Sequence, residues 1–228
     1  MERKHKLLGY YNYTVILTYI GMLVGFAGIL YVLWGRIAAA VVCLMVAGFC
    51  DMFDGTVAAT RVRTEPEKDF GIQIDSLSDL VCFGVLPAAI TSAWGMRSSP
   101  VLESSARAGA ARAIPVLAVS GLYLLCALIR LAYFNVDEIE RQKHSQEPRK
   151  IYYGLPVTLS ALFLPIVYGA ALLLGWAPAV PLAVILGVMA VCFLLPVPLR
   201  KPGLAGKIVA VACGVGEIAL MAIALMRA

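Results

Sequence analysis

Histidine is nearly absent from this chain. His5 and His144 are the only two in 228 residues, and both lie in basic polar segments. That leaves little for imidazole catalysis or haem ligation. The six cysteines (Cys43, Cys50, Cys82, Cys126, Cys192 and Cys213) all sit inside apolar blocks, and none forms a Cys-x-x-Cys pair. A zinc or dithiol redox site therefore has no support, and these residues read as small core side chains. Charge is scarce too, at 14% of residues. No polar stretch is long enough for a soluble domain, and no internal repeat stands out. The net charge of +5 does not point to nucleic acid, because membrane topology accounts for where the basic residues lie.

What the chain has in abundance is apolar sequence, 61% of residues, well above the level of an ordinary soluble domain. It comes in blocks of about 18–23 residues, enough to cross a hydrocarbon core of about 30 Å as helices. Seven spans are expected, near 15–34, 37–58, 71–93, 113–134, 156–175, 179–197 and 206–226. The fold class is all-α, a polytopic membrane helical bundle forming one domain over 1–228. Residues 1–13 are too polar for a secretory leader and suit a juxtamembrane amphipathic segment. "SSPVLESSARAGAARA" reads as an outer loop whose last part extends the fourth helix. Seven spans sort the polar segments into two sets. One holds Arg3, Lys4, Lys6, Arg61, Arg63, Lys68, Arg141, Lys143, Arg149, Lys150, Arg200, Lys201 and Lys207; the other holds only Arg36, Arg97, Arg107, Arg112 and Arg227. The richer set should face the cytoplasm, with the amino terminus inside a multi-pass cell membrane protein.

Against this background "DMFDGTVAATRVRTEPEKDFGIQIDSLSD", positions 51–79, is unusual. Asp51 and Asp54 are three apart, and Asp75 and Asp79 are four apart. On a helix each pair shares one face. The polar stretch from Thr60 to Phe70 turns the chain back, so the pairs can meet at the cytoplasmic ends of spans two and three. Ionised carboxylates are costly in lipid and repel one another, so a cation is expected among them. All-oxygen ligands suit Mg²⁺ or Mn²⁺, which commonly bridge carboxylates to substrate phosphates. Gly55, Ala58 and Gly71 keep the same faces open to a flat ligand, or else permit close helix packing. A metal-held diphosphate, a lipid substrate and an aspartate base for an attacking hydroxyl make a coherent reaction. A divalent-cation transporter is the remote alternative, but its carboxylates should lie near the bilayer midplane.

The seven positions Asp51, Asp54, Gly55, Ala58, Gly71, Asp75 and Asp79 resemble the signature of the CDP-alcohol phosphatidyltransferase family, Asp-x-x-Asp-Gly-x-x-Ala followed by Gly-x-x-x-Asp-x-x-x-Asp. "YNYTVILTYIG", "DSLSDLVCFGVLPA", "RLAYFNV" and "GLPVT" extend the likeness over roughly residues 10–160 and resemble the phosphatidylserine synthases of that family. Asp75 is followed by Ser76, where the glycerol-phosphate and inositol-phosphate branches commonly have proline. The resemblance implies CDP-diacylglycerol as donor and L-serine as acceptor, with glycerol 3-phosphate or inositol phosphate as the alternative acceptors. It also implies a homodimer. In the implied site Asp51, Asp54, Asp75 and Asp79 bind metal, and Asp79 is the general base. Gly55, Ala58 and Gly71 line the cytidine side, and Asn12 and Thr14 support the nucleotide pocket. The family usually has arginine directly after the alanine; here Ala59 stands there, followed by Thr60 and Arg61. Arg61 or Arg63 is then expected to supply the charge from a shifted position. Arg130 suits a phosphate or the serine carboxylate, with headgroup snorkelling as the plainer role. Ser78 is expected to reach substrate, Ser76 to bond a helix carbonyl, and Asn135 to cap its helix. Glu217, in the middle of the last span, is either packed as the neutral acid or paired across an interface.

Overall fold

A computed structural model describes residues 9–97, 106–144, 151–200 and 204–227. Among these residues the chain forms seven helices. A single 3-10 turn, Tyr13–Val15, leads into α1, Ile16–Leu33. Then come α2, Ile37–Ala58, and α3, Glu65–Arg97. The rest are α4, Ala106–His144; α5, Ser160–Leu173; α6, Ala179–Leu194; and α7, Leu204–Arg227. Four stretches are long and apolar enough to cross a membrane: Tyr13–Leu33, Ile37–Ala58, Glu65–Arg97 and Ala113–Arg141. Three shorter apolar helices, Val157–Leu173, Ala179–Leu194 and Val211–Ala224, complete the set. The protein is thus an all-α membrane bundle. Its outer surface agrees: Phe26, Phe49, Leu122 and Val184 are each about half exposed or more, as suits side chains that meet lipid.

Hydropathy located the helices but not all their ends. α3 starts at Glu65, six residues before the expected 71, so Glu65–Phe70 is helix rather than turn. The reason is local: Thr64 and Glu67 form a capping box, and Pro66 occupies the first turn. α4 continues past 134 to His144 as a charged helix, in which Arg141 pairs with Glu138 at 2.6 Å. Gly35 and Gly175 close α1 and α5 with positive φ of 74° and 68°, the left-handed cap that glycine adopts without a Cβ penalty. A two-stranded antiparallel ribbon, β1 Ile151–Tyr153 on β2 Pro198–Arg200, was not foreseen; its register pairs Tyr152 with Leu199. Residues 1–8, the first half of the outer loop (98–105), and the basic residues Arg149 and Lys150 lie outside the described residues.

The core gathers Val41 and Leu44 of α2, Phe83, Leu86 and Ile90 of α3, and Tyr123 of α4. Leu164 of α5 and Leu186 and Met189 of α6 close it. Small residues set the closest approaches. A Cβ on Gly25 would lie 2.5 Å from the Cys82 sulfur, and one on Gly48 would lie 2.5 Å from the Ala161 Cβ. Such contacts let helix backbones approach in lipid, where burial of apolar surface drives little association. Helix α7 packs mainly on α5. It carries Glu217, which is buried and whose Oε1 has no hydrogen-bond partner among the described residues.

Helix α3 contains a π-helical turn, Leu80–Val85, immediately after Asp79. Pro87 accounts for it. Proline has no N–H to give the carbonyl four residues earlier, which is that of Phe83, and its ring crowds that carbonyl. The widened turn relieves the crowding. Two buried hydroxyls replace the lost donor: Tyr123 Oη of α4 donates to the Phe83 oxygen at 2.5 Å, and Ser160 Oγ of α5 at 3.3 Å. An orphaned buried carbonyl would otherwise cost about 1–3 kcal/mol. The segment carrying Asp79 is therefore pinned from two neighbouring helices.

Candidate active site

Helices α2 and α3 run antiparallel and bring the two acidic pairs face to face. The deeper residues meet, Asp51 lying within hydrogen-bonding reach of Asp79. The outer residues meet likewise, Asp54 with Asp75. One oxygen from each of Asp51, Asp54 and Asp75 lies within 4.8 Å of the others. Asp79 stands one turn deeper, beside that group rather than in it. All four are partly buried. At an effective dielectric of about 20, like charges this close repel by roughly 3 kcal/mol per pair. Across three pairs, about 10 kcal/mol is comparable with the whole stability of a domain. The cluster must be offset by cations or protons. Its donors are all carboxylate oxygens and come from two helices, the chemistry that hard divalent ions take. The residues present therefore fit such an ion.

The surroundings orient individual carboxylates. Thr18 Oγ1 of α1 donates to Asp54 Oδ2 at 3.3 Å. Sequence reading missed Thr18, although it stands four residues after Thr14 and so on the same helix face. Ser78 is buried and donates to the Thr18 carbonyl at 3.4 Å, which ties α3 to α1 beside the cluster. The Cys82 thiol makes a parallel contact to the Gly21 carbonyl at 3.4 Å. Arg130 of α4 is buried with its guanidinium 4.9 Å from the Phe134 ring centroid. It lies near enough for its charge to act on Asp79. Its burial holds the guanidinium within the bundle.

Ser76 and Asn135 behave differently from expectation. Ser76 Oγ donates not to a helix carbonyl but to Asn135 Oδ1, at 2.6 Å. Asn135 Nδ2 goes on to Gln73 Oε1 at 3.4 Å. Asn135 sits within α4, nine residues before its end, so it is no cap; it joins α4 to α3.

Near the end of α2, a Cβ built on Gly55 would meet nothing within 4 Å. Its bareness therefore serves an open space rather than helix packing. Ala58 lies one turn further and is half-buried. Asn12 caps the first 3-10 turn, its Oδ1 accepting from Thr14 N at 3.1 Å and from the Thr14 hydroxyl. Its amide reaches Glu67 Oε1 at 3.4 Å. Arg61 Nη2 pairs with the same Glu67 oxygen at 3.3 Å. Tyr13 Oη and Thr60 Oγ1 are 3.0 Å apart, which closes the entry to α1 over the α2–α3 link. Gly71 has Arg63 above it: the guanidinium Nη1 stands 3.1 Å from where a Cβ would be. Thus Asp51, Asp54, Asp75, Asp79, Thr18, Ser78 and Arg130 form one constellation. Asn12, Thr14 and Arg61 belong to a hydrogen-bonded rim around Glu67.

The sequence is similar to that of known proteins. The sequence model of the CDP-alcohol phosphatidyltransferase family matches residues 11–226. A CDP-diacylglycerol--serine O-phosphatidyltransferase of Saccharomyces cerevisiae is 38% identical over 124 residues, 53% of this chain and 38% of that protein. A Bacillus subtilis protein of the same name is 26% identical over 156 residues, 68% of this chain and 75% of its own length. The archaetidylserine synthase of Methanothermobacter thermautotrophicus is 32% identical over 144 residues, 63% of this chain and 52% of that protein. The chain thus spans less than two thirds of the yeast and archaeal proteins. With the family's acidic signature assembled from α2 and α3 and the family match running from α1 into α7, the chain belongs to the CDP-alcohol phosphatidyltransferase family.

Proposed function

We propose that the protein transfers a phosphatidyl group from CDP-diacylglycerol to the hydroxyl of L-serine, giving phosphatidylserine and CMP. The observation that carries this reading is the convergence of Asp51, Asp54 and Asp75 within 4.8 Å beside the open space at Gly55. Serine as acceptor is supported by the names of the relatives and by Ser76 after Asp75. Asp51, Asp54 and Asp75 would hold Mg²⁺ or Mn²⁺, whose bound charge offsets that of a diphosphate and of the departing CMP; Asp79 stands beside that ion site. Thr18 fixes the Asp54 carboxylate from α1, and Ser78 ties α3 to α1 beside it. Asp79 takes the proton of the serine hydroxyl on a carboxylate oxygen. The serine oxygen then bonds to the phosphorus that carries diacylglycerol, and the bond from that phosphorus to CMP breaks with its electron pair. Arg130, whose charge acts on Asp79, would receive the serine carboxylate or a phosphate oxygen.

The site lies at one end of the bundle, level with the start of α1 and with the basic residues Arg61, Arg63 and Lys68 close by in sequence. This favours the cytoplasmic face of the cell membrane and disfavours a transport path through the midplane. Val62, 97% exposed in the α2–α3 link, offers a check. A cysteine placed there should react with an impermeant thiol reagent from the cytoplasmic side only, against a background lacking Cys213; labelling from outside would reverse the assignment. A homodimer is part of the same proposal, and light scattering of the purified protein tests it.

The activity itself is tested with purified protein, CDP-diacylglycerol and Mn²⁺ or Mg²⁺. CMP should appear on adding L-serine, and labelled serine should enter lipid. Incorporation of glycerol 3-phosphate or inositol phosphate instead would move the protein to another branch. Solute uptake into liposomes without CMP release would reject transfer altogether.

A further inference from the structure

We infer that Arg63 is the guanidinium that grips the phosphates of the nucleotide donor, while Arg61 is a strut committed to Glu67. The inference rests on the donor chemistry proposed above. Two arginines flank the acidic cluster on the α2–α3 link, and the structure treats them differently. Arg61 is exposed, and its Nη2 meets Glu67 Oε1 at 3.3 Å. Glu67 is fixed in turn: its other oxygen accepts from Thr64 N at 2.9 Å and Thr64 Oγ1 at 3.1 Å, and Asn12 reaches it from across the rim. Arg61 is thus turned toward the capping box of α3.

Arg63 immediately precedes the helix cap at Thr64 and folds back over the first turns of α3. Its Nη1 lies 3.1 Å from the position of an absent Cβ at Gly71, so the guanidinium rests on bare backbone. It is half-buried and makes no hydrogen bond or ion pair among the described residues. Gly71, Asp75 and Asp79 succeed one another every four residues and share one face of α3. One turn of about 5.4 Å separates the level of the guanidinium from that of the Asp54–Asp75 pair. A partly desolvated guanidinium with five donors and no acceptor has its binding capacity in reserve. A carboxylate cluster that collects cations has the complementary need for anionic oxygens. A diphosphate lying along this face satisfies both, one end at the cation held by the aspartates and the other in the Arg63 fork. The bare surface of Gly71 is what lets the guanidinium sit low enough on α3 to reach it.

The test is equilibrium binding of CDP and of cytidine to the full-length protein in detergent with saturating Mn²⁺, with size exclusion as the folding check. Arg63→Ala should weaken CDP binding by about 10–100-fold, the range for hydrogen bonds to a charged group, and cytidine binding much less. Arg63→Lys should recover part of the loss. Gly71→Ala, which lifts the guanidinium, should weaken CDP in the same direction by a smaller factor. Arg61→Ala should cost less than Arg63→Ala. Equal binding of CDP by wild type and Arg63→Ala, tighter binding by Arg63→Ala, or a larger loss from Arg61→Ala would each overturn the assignment while leaving the donor reading in place. No CDP binding by wild type would instead overturn the donor reading itself.

Discussion

Asp79→Asn is expected to lower serine-dependent CMP release by about 10²–10⁴-fold, the usual worth of a positioned general base. The substitution preserves size and polarity but leaves nothing that accepts a proton. Asp79 suits this role because of where it stands. It lies beside Asp51 but outside the group of three oxygens within 4.8 Å, and the charge of Arg130 acts on it. A carboxylate beside the cation site rather than at its centre can hold a proton without giving up the ion. Binding of CDP in the presence of Mn²⁺ should therefore survive in this variant. Undiminished turnover would remove the base role. Loss of CDP binding together with turnover would make Asp79 a metal ligand like the others.

The second large effect is expected at Asp54. This carboxylate belongs to the group of three, lies within reach of Asp75 and accepts from Thr18. Asp54→Asn removes a charge that is held by α1 and is proposed to hold the ion. The Mn²⁺ concentration for half-maximal activity should rise by more than about 100-fold, above the 10–100-fold usual for residues that only support a metal ligand. Thr18→Val, which removes such support and no charge, should fall within that lower range. A metal titration of the two variants beside wild type decides the matter. An unchanged requirement in Asp54→Asn would mean that the cluster does not bind the activating ion.

Much of this was legible in the sequence, for identifiable reasons. Helices in lipid must satisfy every backbone group internally, so seven apolar blocks could only become seven helices. The spacings of Asp51 with Asp54 and of Asp75 with Asp79 placed each pair on one face. Their crosswise partnering follows from antiparallel helices. Two ends were misplaced because polar helix continues beyond apolar sequence, at 65–70 and 135–144, and hydropathy stops where lipid does. The capping box at Thr64 and Glu67 was a readable signal for the first, and the Glu138–Arg141 spacing for the second. The ribbon at 151–153 and 198–200 was not readable, since three-residue strands carry no periodicity. Thr18 and Tyr123 act through partners far away in sequence. Their hydroxyls could be noticed in apolar helices, but not assigned.

The widened turn after Asp79 has a consequence for how α3 can vary. A π turn accommodates one more residue than an α-helix needs over the same stretch, equivalent to a phase slip of about 100°. The carboxylate half of α3 and its deep packing half are thus geared to each other through Leu80–Val85. Deleting one residue there would leave the hydropathy profile almost unchanged. Yet it would swing Asp75 and Asp79 around the helix axis, away from Asp51 and Asp54, so the length of that short segment is under tighter constraint than the identity of its side chains.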